Sequence, residues 1–333
     1  MQNKIAIIDN KNQDIGLKIL FPEADYFILE EEFDRTKLCN KYNINPIVHN
    51  KDMNIFESVT SKKYDTLFII ISIYCTLKEY DNKSKSYCKN TYNKLIEIIE
   101  FINNNSFENI CFFDNNDYDY DPNIGFESEF IKKKNIKFFK RYYNKEKIYG
   151  SNVNSFPYIT FGHECNLDIL NNFEKNIDSS NNKMSRIFFS GSPVVHIDET
   201  YGIIRNRKEM LLKIMGKINL YTPGYLPNDA FIAEMKKSKY SLDLLGVGDP
   251  NTRTYEILSC GSLRLGQRSN LKWTFDANLC EETIFDDEND LLEKIIRLEN
   301  EEGLYEKCMA NQNEIVSKYM NNVVLRNYIM DKL

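Results

Sequence analysis

From residue 186 onward the chain alternates short apolar runs with amphipathic runs of about ten residues, a rhythm that few folds accept. Arg186–Ser190, Lys217–Tyr221, Tyr240–Leu245, Ser262–Leu265 and Thr283–Phe285 read as strands. Arg207–Met215, Asp229–Lys237 and Pro250–Ser259 read as the helices between them, and Asn289–Leu298, Tyr305–Met320 and Asn322–Lys332 as terminal helices. Strands separated by helices cannot pair as hairpins, so the pattern predicts a parallel sheet covered on both faces. The first half repeats it less regularly, with strands at Lys4–Asp9, Thr66–Ile73 and Asn109–Asp114 and a helix near Tyr92–Ile102. Asp9 and Asp114 each close a strand, the end at which open α/β sheets bind ligands.

A chain of 333 residues exceeds one ordinary core. The expected architecture is α/β, with two Rossmann-like domains facing a cleft. Residues 1–170 form the first domain, the Asn- and Ser-rich segment 171–183 the linker, and 184–333 the second domain. The net charge of −6 disfavours nucleic acid and anionic membrane as partners of the whole surface. The longest apolar run, Thr66–Cys75, is half a membrane span, and the N-terminus has no signal-peptide pattern, so a cytoplasmic location is expected. Eight cysteines without a Cys-x-x-Cys pair, and only three histidines, predict reduced buried thiols and no metal site.

The run Gly248–Gly266 carries the most specific chemistry. Asp249 and Pro250 have the form of an N-cap and first helical residue, and Gly261 that of a left-handed stop. Arg253 then falls in the first turn, where the helix dipole disfavours a cation unless an anion is bound. A phosphate there would accept backbone N–H groups and a bidentate pair from Arg253. Glu256, one turn on, would accept hydroxyls of a ribose or sugar. The plainer reading is an exposed Arg253–Glu256 surface pair. The turn Ser190-Gly191-Ser192, after the first strand of the same half, can aim further N–H groups at a phosphate, and Arg205 and Arg207 can add charge.

These residues resemble a glycosyltransferase of the GT-B type, in the group that includes the spore-maturation-like and exostosin-like enzymes. The resemblance rests on Arg186–Ser192, the helix beginning near Arg205 and Arg207, and Ser238–Gly246 running into Arg253–Gly261 with its Arg-x-aromatic-Glu pattern of Arg253, Tyr255 and Glu256. It covers roughly residues 109–320. It implies transfer of a sugar from a nucleoside-diphosphate sugar, a co-substrate held by the second domain, to a glycan, protein or small-molecule acceptor. It also implies that Lys140 and Arg141, in a segment like that before the interdomain crossover, aim into the cleft. Position 264, eight after Glu256, is arginine where a retaining pattern has a second glutamate, so stereochemistry does not follow. Cations and helix N-termini can stabilise the leaving diphosphate without metal or other cofactor. An inverting enzyme also needs a base, for which Asp9, Asp114 and His163 are the candidates.

Two other readings compete. Asp117-Tyr-Asp-Tyr-Asp121 could hold a metal as the Asp-x-Asp of the other glycosyltransferase architecture, although the second α/β half and an ordinary acidic loop speak against it. Residues 131–147 interleave basic and aromatic residues and could serve a nucleic-acid or membrane-surface module, but the aromatics keep strand-like order and should fill the core.

Overall fold

The computed structural model describes residues 4–10, 14–30, 36–49, 54–71, 85–114, 135–141, 143, 146, 148–157, 167–168, 183–191, 195–198, 203–224, 226–245, 252–269 and 278–333. The chain forms two compact units, Met1–Phe161 with Arg326–Leu333, and Gly162–Leu325. Of the expected linker 171–183, all but Lys183 lies outside the described residues.

The first unit is built on a parallel sheet of seven strands in the order β3-β2-β1-β4-β5-β6-β7. The strands are β1 (Ile5–Asp9), β2 (Asp25–Ile28), β3 (Ile47–Val48), β4 (Thr66–Ile70), β5 (Asn109–Asp114), β6 (Ile136–Lys140) and β7 (Val153–Ser155). Helices α1 (Ile15–Leu20), α2 (Thr36–Lys41), α3 (Ile55–Lys62) and α4 (Lys85–Asn104) connect them. Every residue of β1 and β4 is buried, as expected of strands covered on both faces. Phe68, Phe113, Phe139 and Phe156 run across neighbouring strands as one aromatic row, with Phe113 and Phe139 stacked at 4.8 Å. Phe138 and Phe139 from the basic stretch thus belong to the core.

The second unit carries a parallel sheet in the order β11-β8-β12-β13-β14. Its strands are β8 (Met184–Phe188), β11 (Leu220–Tyr221), β12 (Ser238–Asp243), β13 (Leu263–Gln267) and β14 (Ile284–Phe285), while β9 (Val195–Asp198) and β10 (Ile203–Asn206) form a separate antiparallel pair. The helices are α5 (Arg207–Ile214), α6 (Asn228–Lys237), α7 (Thr252–Ser259), α8 (Glu288–Asn300), α9 (Leu304–Tyr319) and α10 (Asn322–Met330). Gly261 follows α7 with φ of 67°, the left-handed stop expected of it. No described helix is long and apolar enough to cross a membrane.

The sequence reading ran the second domain to residue 333, but Arg326–Leu333 fold with the first unit. Arg326 makes a two-pronged pair with Glu23, its Nη1 2.9 Å from Oε2, and its guanidinium covers the ring of Phe21. Tyr328 packs edge-on to Phe139 and donates its hydroxyl to the Ser155 carbonyl at 2.8 Å. A Tyr328→Phe substitution is expected to lower stability by about 1 kcal/mol in urea denaturation, and removal of residues 326–333 by more, because the deletion also strips cover from Phe21 and Phe139.

Candidate functional site

In the second unit the chain passes from β8 to β11 on one side and then to β12, β13 and β14 on the other. The direction of winding therefore reverses between β8 and β12, where connections leave in opposite directions and open a crevice at the carboxyl ends of the strands. Phe189, Ser190 and Gly191 follow β8 at that point, and Asp243 ends β12.

Arg253 is the second residue of α7 and meets the β8 turn directly. A Cβ at position 191 would stand 2.6 Å from Arg253 Nη1 and 3.1 Å from Cζ, so a side chain there would displace the guanidinium from its present place. The guanidinium carbon lies 5.6 Å from the Phe189 ring centroid and 5.4 Å from that of Phe231. Two aromatic faces thus support a cation where the helix dipole opposes it. Arg253 and the Ser190–Gly191 turn, distant in sequence, form one surface. Asp249 and Pro250, the expected cap, lie outside the described residues.

Glu256 is only 3% exposed, so the plainer reading of an exposed surface pair with Arg253 fails. Burial pushes its carboxyl up from the ordinary 4.5 to about 7, with Arg253 pulling down and Asp243 pushing up. Asp243 is itself buried; its Oδ2 accepts from Arg264 Nε at 2.6 Å and Thr254 Oγ1 at 2.8 Å, while its buried Oδ1 has no hydrogen-bond partner among the described residues. The sequence reading missed Asp243, Thr254 and this use of Arg264. The signal was present, since Asp243 closes a strand as Asp9 and Asp114 do. The arginine at 264 neutralises a carboxylate on the adjacent strand.

The other expected residues fall into separate places. Ser190 donates its hydroxyl to the Gly224 carbonyl at 2.7 Å. Arg207, first in α5, donates Nε to the Leu245 carbonyl beyond β12 at 3.1 Å, and Tyr255 is buried beside Glu256 in α7. Arg205 stands in β10 opposite His196. Ser192, His163 and Asp117–Asp121 lie outside the described residues.

Lys140 and Arg141, which the resemblance aims into the cleft, are both buried and each pairs with an aspartate. Lys140 is 0% exposed and pairs at 3.4 Å with Asp114, its register partner across β5 and β6. Arg141 pairs with the buried Asp14. Asp9 Oδ2 accepts from the Asp14 backbone N–H and the Tyr26 hydroxyl, each at 2.8 Å, and so pins the turn from β1 into α1.

The position of Glu256 gives stability a defined pH dependence. The unfolded carboxyl ionises near 4.5, whereas the folded one holds its proton until about 7. Stability therefore falls as pH rises between those values and levels off above the folded one. Glu256→Gln is expected to remove that decline, leaving the variant the more stable at pH 8 in chemical denaturation; a wild-type slope in the variant would assign the decline elsewhere.

Residues 176–327 match the family described as glycosyl transferase-like. No curated protein sequence matches the chain significantly. T4 phage BGT in complex with UDP and Mn2+ superposes with a TM-score of 0.52 at 13% identity, covering 99% of each chain. A structure described as the DNA modifying enzyme β-glucosyltransferase, with and without uridine diphosphoglucose, gives the same values. A Thermobaculum terrenum O-GlcNAc transferase mutant gives 0.54 at 8% identity, over 99% of this chain and 66% of the other. The family match and the architecture together support a glycosyltransferase of the GT-B type.

Proposed function

We propose that the protein transfers a sugar from a uridine-diphosphate sugar, with the diphosphate held at Arg253 and the Ser190–Gly191 turn and with Glu256 accepting hydroxyls of the ribose or sugar. The observation that carries this reading is the packing of Arg253 on Gly191 at the β8–β12 reversal. Breaking the sugar–phosphate bond places negative charge on the departing diphosphate, and a fixed guanidinium beside backbone N–H groups stabilises that charge without rearranging as it develops. Buried Glu256 offers directional acceptors, and a buried carboxyl left without its hydroxyl partner penalises ligands lacking one. The choice of uridine draws on neighbours whose descriptions include UDP or uridine diphosphoglucose. One of those neighbours is described as a DNA modifying enzyme and another neighbour as an O-GlcNAc transferase, so the neighbours offer no single acceptor to carry over.

Thermal shift with UDP, GDP, CDP, dTDP and UMP, each with and without EDTA, tests the donor. UDP at a hundred times its dissociation constant should stabilise by about 2.7 kcal/mol. An EDTA-insensitive shift is expected, because Arg253 and the turn are proposed to hold the diphosphate; loss of the shift in EDTA would transfer that role to a metal. Absence of a shift with every nucleotide would overturn the reading. Gly191→Ala inserts a methyl group against the guanidinium and should weaken UDP at least tenfold, a loss of about 1.4 kcal/mol, with the circular dichroism spectrum unchanged.

A further inference from the structure

We infer that Cys280, Glu282 and Cys308 form a site for a thiophilic divalent cation of the zinc class. The Sγ atoms of the two cysteines and a carboxylate oxygen of Glu282 all lie within 4.8 Å of one another. In sequence the cysteines belong to no motif; the fold joins them at the edge of the second unit. Cys308 is on α9 and buried. Cys280 and Glu282 belong to the approach to β14, where residues Glu281–Thr283 form a short 3-10 helix.

The scaffold holding these donors is already built. The Cys280 backbone N–H donates to Asn311 Oδ1 at 2.9 Å, and Asn311 Nδ2 donates to the Asn278 carbonyl at 3.3 Å. Asn311 lies one turn from Cys308 on the same helix, so α9 supplies one thiol and fixes the segment bearing the other. Thr283 closes the 3-10 turn from the other side, its backbone N–H and its hydroxyl both donating to the Cys280 carbonyl, at 2.9 and 2.8 Å.

Zinc takes thiolate sulfur at about 2.3 Å and carboxylate oxygen at about 2.0–2.2 Å in a tetrahedron, which sets two sulfurs about 3.8 Å apart. Donors within 4.8 Å reach that spacing by side-chain rotation. Two thiolates, one carboxylate and a divalent ion leave one net negative charge. Arg297 Nη2 stands 3.8 Å from Glu282 Oε1, and burial, with Cys280 and Glu282 alongside, pushes the Cys308 thiol up to about 12 against a lesser pull from Lys307, so the cation has to displace its proton. Both partly exposed donors, Cys280 and Glu282, border solvent, which leaves the fourth position to water. Binding releases one proton from each thiol to solvent, with no change of oxidation state. The cation would clamp the strand-approach segment to α9, away from the β8–β12 reversal.

The reduced full-length protein should be titrated with Co2+ and then Zn2+. One equivalent of Co2+ should give thiolate-to-cobalt charge-transfer absorption that Zn2+ abolishes, and Zn2+ should raise the melting temperature. Cys280→Ser should lose the band with circular dichroism unchanged, Glu282→Gln should weaken binding about tenfold or more, and Cys39→Ala should match wild type. Absence of the band from wild type, its survival in Cys280→Ser, or preferential formation of a Cys280–Cys308 disulfide in the presence of metal would overturn the assignment. The readout needs no nucleotide, so its failure is separate from failure of the donor reading.

Discussion

The carboxylate of Asp243 ties together the elements on which the second unit's site depends. It ends β12, accepts from Thr254 in α7 and pairs with Arg264 on β13. Gln312 extends the connection to α9, taking the Arg264 backbone N–H at 3.0 Å and donating to the Ser262 carbonyl at 2.9 Å. Removing one member of such a buried pair leaves the other charge desolvated, which costs about 3–5 kcal/mol. The same network fixes the rotation of α7, and with it the direction in which Arg253 and Glu256 face.

Both units place charged residues at the carboxyl ends of a parallel sheet, but they treat the charges differently. In the first, Asp114 meets Lys140 and Asp14 meets Arg141, opposite charges buried in contact. Such pairs specify geometry more than they stabilise it. In the second, Arg253 rests on two rings and a glycine, and Glu256 is buried with its ionisation displaced toward neutral pH. A carboxyl displaced toward neutrality beside such a crevice fits the ligand-binding role proposed for Glu256.

The fold of the second unit was legible because its helices are long enough to show their period and its strands are bounded by polar turns. In the first unit β2 and β3 are only four and two residues long, and α1 and α2 span six each, too short for periodicity to separate from noise. Arg253, Glu256 and the Ser190–Gly191 turn were legible singly, through cap positions and turn chemistry. Their convergence on one diphosphate was expected, but the direct packing of Arg253 on Gly191 was not, because contact between a helix and a distant turn follows from strand order. Lys140 shows the same limit: the resemblance aimed it into the cleft, and its register opposite Asp114, which decides its environment, is not visible in the sequence. The Cys280–Cys308 proximity was invisible for the same reason.

The arginine at position 264 changes from a missing motif residue into a constraint on the chemistry. Asp243 and Glu256 are close enough that the charge of the first opposes ionisation of the second. A glutamate at 264 would place a third carboxylate against Asp243, and like charges in a buried site cannot all ionise together. With arginine there, Asp243 meets Arg264 and Thr254, and Glu256 is the carboxyl that burial displaces toward neutrality. The β13 position that supplies a second acidic group in the retaining pattern here supplies the counter-ion holding α7 in place.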